Sequence, residues 1–209
     1  MTIEVRKILS KLKGKEVGIF IDDSNIFHRQ RETNLFIDWR KFKELLNNNF
    51  KVKLLKFYRG SYPKDWKIDP KIIEKNDKFK QILINLGYEV VNRNIKKIYT
   101  NKKENIFEYK CDFDSEIGYD VGRLLDKLDI VIIVSGDSDF SFLENKLKKL
   151  NKTLLFVCHK HKAPWEFFRM RHIFFEEIAR EVQLNKNTGL KGPVKNTVES
   201  VTLRKENVK

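Results

Sequence analysis

Three groups of acidic residues recur along the chain at intervals that would let them share a metal ion. Asp22 directly follows the apolar run 17–21 (VGIFI), and Asp137 and Asp139 follow a second apolar run at 129–134 (DIVIIV). The third group lies between them and consists of Asp112, Asp114, Glu116 and Asp120. Crowded carboxylates repel one another unless a cation compensates their charge, and Mg²⁺ and Mn²⁺ prefer oxygen ligands. These positions therefore predict a Mg²⁺ or Mn²⁺ site, and not a zinc site built on His or Cys.

Such a site has a definite chemical use in a strongly basic chain. The sequence has 43 Lys and Arg against 29 Asp and Glu, which gives a formal net charge of +14. A basic surface can hold the phosphates of a nucleic acid while metal ions in an acidic pit activate water and stabilise the leaving oxygen. Metal-assisted hydrolysis of phosphodiester bonds is the predicted reaction. The alternative explanation of the charge is a generally lysine-rich composition, since Lys is spread along the whole chain.

The pattern of apolar residues predicts elements that would bring the acids together. Short apolar runs that end in polar residues are typical of buried parallel strands, whose carboxyl ends form the ligand-binding edge of open α/β sheets. The residues from 92 to 110 are polar and basic, and they predict either a hairpin or a flexible arm. The predicted strands lie at 17–21, 51–58, 88–91, 129–134 and 153–157, and the predicted helices at 37–46, 71–86, from Asp114 to about 128, 143–150 and within 164–177.

Length and composition predict one α/β domain with a tail. The chain has 209 residues, of which 41% are hydrophobic, enough for one core. We expect a basic segment at 1–14, the domain at 15–183, and a flexible basic tail at 184–209. No apolar run approaches the roughly 20 residues of a membrane span, so we expect a cytoplasmic protein without a membrane partner. Cys111 and Cys158 form no CxxC pair, so no disulfide framework or structural zinc site is predicted.

Several basic residues lie where they could contact the phosphates of a nucleic acid. Arg29 and Arg31 follow the first acidic motif, and Lys110 precedes the middle acidic group. His159, Lys160 and Lys162 follow the strand predicted at 153–157. We expect all six to bind nucleic acid, with solvent-exposed charge as the alternative for Arg29 and Arg31. The expected partner is a nucleic acid, and a homodimer is left open.

The acidic motifs resemble those of a known nuclease family. Residues 19–26 (IFIDDSNI) are similar to the opening motif hhhDxxN of the NYN, or LabA-like, branch of the PIN-like nuclease superfamily. Residues 114–120 and 132–140 (IIVSGDSDF) resemble its later motifs. The resemblance extends over roughly residues 15–180. It implies a Rossmann-like PIN fold with a mostly parallel central sheet and helices on both faces. It also implies a divalent-metal-dependent endoribonuclease, whose partner would be single-stranded or structured RNA.

Carried onto this sequence, the resemblance also implies roles for individual residues. Asp22, Asp114, Asp137 and Asp139 would be the catalytic, metal-binding acids, with Asp120 as a fifth catalytic candidate. Asn25 and Ser135 would orient these ligands. The segment 110–114 (KCDFD) has one residue more than the family pattern, so either Asp112 or Asp114 could be the ligand.

Helix geometry limits the ligand set further. Asp114 and Asp120 are six positions apart, about 240° around an ideal helix, so both cannot face one ion from its regular body. An N-cap position for Asp114 would relax this limit.

Two other functions remain open. One is a non-catalytic RNA-binding regulator that keeps the acidic pit without turnover. The other is a haloacid-dehalogenase-like phosphatase, because GDSD at 136–139 is similar to that family's late acidic motif. The phosphatase is disfavoured because its first strand ends in DxD, whereas Ser24 stands two residues after Asp22.

Overall fold

The chain folds into alternating helices and strands in a computed structural model, which describes residues 1–184 apart from 64, 65, 67, 102, 103 and 105. The predicted tail at 184–209 thus lies outside the described residues except for Leu184. The strands are β1 (Glu16–Asp22), β2 (Lys51–Ser61), β3 (Glu89–Asn94), β4 (Lys96–Asn101), β5 (Ile106–Lys110), β6 (Ile130–Val134), β7 (Thr153–Cys158) and β8 (His172–Phe174). The helices are α1 (Ile3–Leu12), α2 (Asp23–Thr33), α3 (Trp39–Asn49), α4 (Pro70–Asn85), α5 (Asp114–Leu124), α6 (Leu143–Lys149) and α7 (Ala179–Val182).

Six of the strands form one parallel sheet in the order β3-β2-β1-β6-β7-β8. The predicted α/β fold with a parallel central sheet is confirmed. From β1 the chain first moves outward through β2 and β3, and it then returns to place β6 on the other side of β1. The order of the strands therefore reverses between β1 and β6. Ligands of open α/β sheets bind in the crevice at such a switch point, beyond the carboxyl ends of the strands.

Helices cover both faces of the sheet because side chains alternate along each strand. Val17, Ile19 and Ile21 of β1 point into one hydrophobic cluster, together with side chains of α1, α2, α3, α4 and α7. Phe20 points the opposite way, into a second cluster that contains side chains of α5 and α6. Residues 130–134 of β6 are all buried. The two strands whose ends carry acids are thus the rigid centre of the domain.

The segment predicted as a hairpin or an arm forms a hairpin. β4 and β5 pair antiparallel as a separate two-stranded sheet. β5 ends at Lys110, and α5 begins four residues later at Asp114. The hairpin is therefore joined directly to the middle acidic group.

Two stretches differ from the prediction. The prediction of a closing helix within 164–177 is wrong. The structure has short 3-10 helices at Trp165–Arg169 and Phe175–Ile178, and strand β8 at His172–Phe174. β8 pairs with β7, so its apolar residues fill the edge of the sheet. The basic segment at 1–14 contains helix α1, which Thr2 caps through a hydrogen bond from the Val5 backbone N–H. Among the described residues, no helix is long and apolar enough to cross a membrane.

Candidate metal centre

Asp22 is a buried carboxylate at the end of β1. Its Oδ1 accepts a hydrogen bond of 2.6 Å from the Ser24 hydroxyl, and its Oδ2 accepts one of 3.1 Å from the Ser135 hydroxyl. Burial raises the pKa of Asp22 above its ordinary value, and the two hydroxyls only partly offset that effect. Asp22 therefore connects the end of β1 to the loop after β6.

A second contact fixes the same loop. The side-chain oxygen of Asn25 accepts a hydrogen bond of 3.0 Å from the Gly136 backbone N–H. A Cβ on Gly136 would lie 3.0 Å from that oxygen, so only glycine fits without displacing Asn25. The Ser135 hydroxyl accepts from the Asp137 backbone N–H at 3.2 Å. Asn25 and Ser135, predicted to orient the ligands, are thus hydrogen-bonded to the loop that carries Asp137.

Three carboxylates meet at this edge of the sheet. Asp114, Asp137 and Asp139 each offer an oxygen, and these oxygens all lie within 4.8 Å of one another. Asp114 is the first residue of α5, where the positive end of the helix dipole favours a negative charge. Asp137 caps the 3-10 helix Ser138–Phe142 by accepting the Asp139 backbone N–H at 3.0 Å. We call Asp114, Asp137 and Asp139 the acidic triad.

The charge balance of the acidic triad is that of a cation site. Burial, and after it the charges of Asp112 and Asp137, raise the pKa of Asp114 to about 7. Without a cation, the ionised form of Asp114 is thus disfavoured. The donor set consists of carboxylate oxygens alone, which suits Mg²⁺ or Mn²⁺ and not zinc. The residues present therefore fit the hard divalent ion that the sequence predicts.

Asp112, the alternative to Asp114, is occupied differently. Its Oδ1 accepts the Asp114 backbone N–H at 3.1 Å, and its Oδ2 lies 3.4 Å from the Lys110 ammonium. The hydrogen bond from Asp114 outweighs partial burial and leaves the pKa of Asp112 below its ordinary value. This geometry favours Asp114 as the ligand and gives Asp112 the task of holding the start of α5. It also puts Lys110 beside a carboxylate at the site.

Asp120, the fifth candidate, lies in a separate cluster. Its Oδ2 accepts hydrogen bonds from the Lys56 ammonium at 2.9 Å and from the Tyr58 hydroxyl at 2.7 Å, and its Oδ1 accepts one from Arg123 at 3.0 Å. Asp114 stands at the first position of α5, and Asp120 follows six residues later, about 240° around the helix and so on another side of it. The structure therefore does not bring Asp120 into the acidic triad.

Five of the six basic candidates are partly or fully exposed, and one is buried. Arg29 and Lys162 donate hydrogen bonds to Glu32, at 2.8 and 2.9 Å respectively. These two bonds lower the pKa of Glu32 to about 2, and the bond from Lys162 has the larger effect. Arg31 lies over the Phe27 ring, and Lys160 is exposed. Exposed cations in these positions can meet a polyanion.

His159 is buried, so the expectation that it contacts phosphate is wrong. It is a buried residue, and its Nδ1 lies 3.3 Å from the Thr33 hydroxyl and 3.5 Å from Glu176. Its ring also packs 5.1 Å from the Phe175 ring, centre to centre. A side chain closed in this way supports packing between α2 and the end of β7. His159 directly follows the apolar strand β7, and an exposed site residue at the edge of the sheet would follow a strand in the same way.

Sequence reasoning missed two supports of the site. In the sequence, Ser24 is informative only because it breaks a DxD motif, yet in the structure its hydroxyl donates a hydrogen bond to Asp22. Asp23 is buried and ion-paired with Arg59, which also donates to Asn76. The signal for Ser24 was its spacing of two from Asp22. Arg59 lies on β2, far along the chain, and no local pattern indicates its partner.

Comparison with known proteins agrees with this architecture. The NYN domain family model matches residues 16–177. The chain belongs to the NYN domain family. Its domain therefore has a PIN-like nuclease fold with a cluster of aspartates at the end of the sheet.

Two individual proteins resemble the chain. The protein LabA (low amplitude and bright) of Synechococcus elongatus is 27% identical over 124 residues, which are 59% of this chain and 63% of LabA. The match thus spans less than two thirds of that relative. A Vibrio parahaemolyticus protein of unknown function has a crystal structure similar to this one, with a TM-score of 0.63 and 22% identity over 82% of this chain and 98% of that chain. This second likeness bears on the fold alone.

Proposed function

We propose that the protein is a metal-dependent ribonuclease that hydrolyses phosphodiester bonds of RNA at the acidic triad. One observation carries the proposal: Asp114, Asp137 and Asp139 converge within 4.8 Å at the switch point of the sheet. A stable fold gains nothing from gathering three like charges, because their repulsion opposes folding. A cation that they bind and use explains their position.

The residues around the acidic triad have distinct roles in this proposal. Asp114, Asp137 and Asp139 would hold Mg²⁺ or Mn²⁺, and the negative charge of Asp22 also acts on Asp114. The ion, when bound, activates water and stabilises the leaving oxygen. Asp22 also accepts the Ser135 hydroxyl, so it keeps the loop carrying Asp137 at its distance from β1. Catalysis gains from such fixed ligands because they need no rearrangement as the reaction proceeds.

The basic charge of the chain supports RNA as the partner. A net charge of +14 attracts polyanions, and neutralised phosphates release counterions on binding. Lys110 lies beside Asp112, where it can contact a phosphate next to the acidic triad. Arg29, Arg31, Lys160 and Lys162 are proposed as more distant phosphate contacts.

The basic tail gives a prediction about binding. Removing residues 185–209 deletes six Lys and Arg and two Glu. We expect weaker RNA binding and a shallower dependence of log Kd on log salt, because fewer phosphates are neutralised. Fluorescence anisotropy at several salt concentrations measures both. An unchanged slope would contradict a role of the tail in binding.

A cleavage assay tests the proposed function. Purified protein is incubated with labelled single-stranded RNA, hairpin RNA and matched DNA in Mn²⁺, Mg²⁺ or EDTA, beside a phosphomonoester such as p-nitrophenyl phosphate. We expect RNA to be cut in metal and to stay intact in EDTA. Tight binding without cutting in either metal would favour an RNA-binding regulator. Turnover of the phosphomonoester alone would favour a phosphatase.

A further inference from the structure

A row of aromatic rings lies along one face of the hairpin β4–β5. In the pairing register Lys97 faces Tyr109 and Tyr99 faces Phe107, so these four side chains share a face. The ring centres of Tyr99 and Phe107 are 6.0 Å apart, and those of Phe107 and Tyr109 are 5.3 Å apart. Trp66 extends the row, 5.1 Å from Tyr109. We call Tyr99, Phe107, Tyr109 and Trp66, with Lys97, the aromatic face.

The aromatic face does not serve the core. The two hydrophobic clusters formed by the described residues are assembled without any of its rings. Tyr99 is 43% exposed, although aromatic side chains are among those that gain most from burial. Neighbouring rings and the Lys97 ammonium, 3.6 Å from the Phe107 ring centre, keep the row in place. A preformed aromatic row that is exposed at Tyr99 and partly exposed at its other rings marks a binding surface.

The charge of the hairpin indicates the kind of partner. Residues 93–110 contain six Lys and Arg against two Glu. One of these cations, Lys97, belongs to the aromatic face itself, with its ammonium over the Phe107 ring. Aromatic rings beside cations are how proteins bind single-stranded nucleic acid, since bases stack on the rings and phosphates meet the cations.

The position of the hairpin connects this surface to the site. Lys110 ends β5, and two residues later Asp112 accepts the backbone N–H of Asp114, a member of the acidic triad. The β5 end of the hairpin is therefore joined directly to the segment that carries Asp112 and Asp114. Duplex RNA cannot use the rings in this way, because its bases are stacked on one another.

We propose that the aromatic face binds unpaired bases of single-stranded RNA and guides the adjoining phosphodiester to the acidic triad. The guiding step rests on the proposed ribonuclease function, whereas the binding step does not. The substrate class is therefore single-stranded RNA, bound without strong sequence preference because every base has a face to stack.

Binding of a labelled 20-nucleotide single strand in EDTA, by the full chain, tests the proposal without any cleavage. In the variant Tyr99→Leu/Phe107→Leu the leucines keep the strands apolar but remove stacking. We expect its Kd for the single strand to rise about 10-fold or more, from the usual contribution of one or two stacked bases. The salt dependence should stay as in wild type, because no cation is lost.

Two controls make the result specific. Ile98→Ala changes an exposed residue on the opposite face of β4 and should leave the Kd unchanged. A 20-base-pair RNA duplex should bind wild type and the double variant equally. An unchanged single-strand Kd in the double variant, or an equal loss in Ile98→Ala, would overturn the proposal and leave a protein as the partner of the aromatic face. Failure of wild type to cut RNA in any metal would refute the ribonuclease alone.

Discussion

Replacement of Asp114 by asparagine should lower the rate of RNA cleavage by about 10³-fold or more, because a lost ligand charge removes several kcal/mol of the stabilisation that a metal gives. An oxygen of Asp114 lies within 4.8 Å of oxygens of Asp137 and Asp139, and the charge of Asp137 raises the pKa of Asp114. The fold should persist, since neutralising a repelled carboxylate costs no attractive partner. Single-turnover cleavage and thermal unfolding measure the two effects.

Asp112→Asn is the matched control for that variant. Asparagine keeps an oxygen that can accept the Asp114 backbone N–H, so α5 should start as before. We expect Asp112→Asn to cleave RNA at a rate within a few-fold of wild type. We also expect Mn²⁺ to raise the melting temperature of Asp112→Asn but not that of Asp114→Asn. The reverse order of the two variants would make Asp112 the ligand.

Asp120→Asn should lower the free energy of unfolding by about 3 kcal/mol, because it leaves the buried Lys56 ammonium short of a charged partner. The Lys56 side chain is only 4% exposed and lies between Asp120 and Glu89. Urea unfolding measures the change. Arg123→Ala is the control: its side chain is half exposed, so its loss should cost less than about 1 kcal/mol.

A second variant keeps the Asp120 prediction testable, and pH gives it a sign. Lys56→Met in the Asp120→Asn background should recover part of the stability, because no charge is left buried. Burial alone raises the pKa of Asp120, but hydrogen bonds from Lys56, Tyr58 and Arg123 outweigh it and leave the pKa below its ordinary value. The wild-type pair thus stabilises above about pH 4 and is lost as the pH falls below that. Equal acid sensitivity of wild type and Asp120→Asn would contradict this assignment.

The sequence predicts the centre of the sheet well because its signals are local. The runs 17–21 and 130–134 contain no polar side chain, which only strands buried on both faces require, and an aspartate follows each within three residues, at Asp22 and Asp137. Parallel neighbours then bring those ends together without further information. The long helices α3 and α4 likewise follow from apolar residues at helical spacing.

The features that the sequence did not predict depend on contacts far along the chain. The sequence makes Asp120 a candidate ligand because its true partners cannot be recognised locally. These partners, Lys56 and Tyr58, lie on β2, more than sixty positions away. The local sequence around His159 is compatible with an exposed side chain, whereas in the structure Thr33 of α2 and Glu176 lie against its ring. The hairpin was one of two alternatives, and its aromatic face exists only once the register of β4 and β5 is known.

Mn²⁺ binding and RNA cleavage measured on the same protein samples test the central claim most directly. Bound Mn²⁺ is followed by electron paramagnetic resonance, and cleavage of a single-stranded RNA is timed at each Mn²⁺ concentration. We predict that the cleavage rate rises in parallel with bound Mn²⁺ in wild type and that Asp137→Asn loses both. RNA cleaved equally well in EDTA, or Mn²⁺ bound and RNA cut by Asp137→Asn as by wild type, would contradict a metal-dependent ribonuclease at the acidic triad.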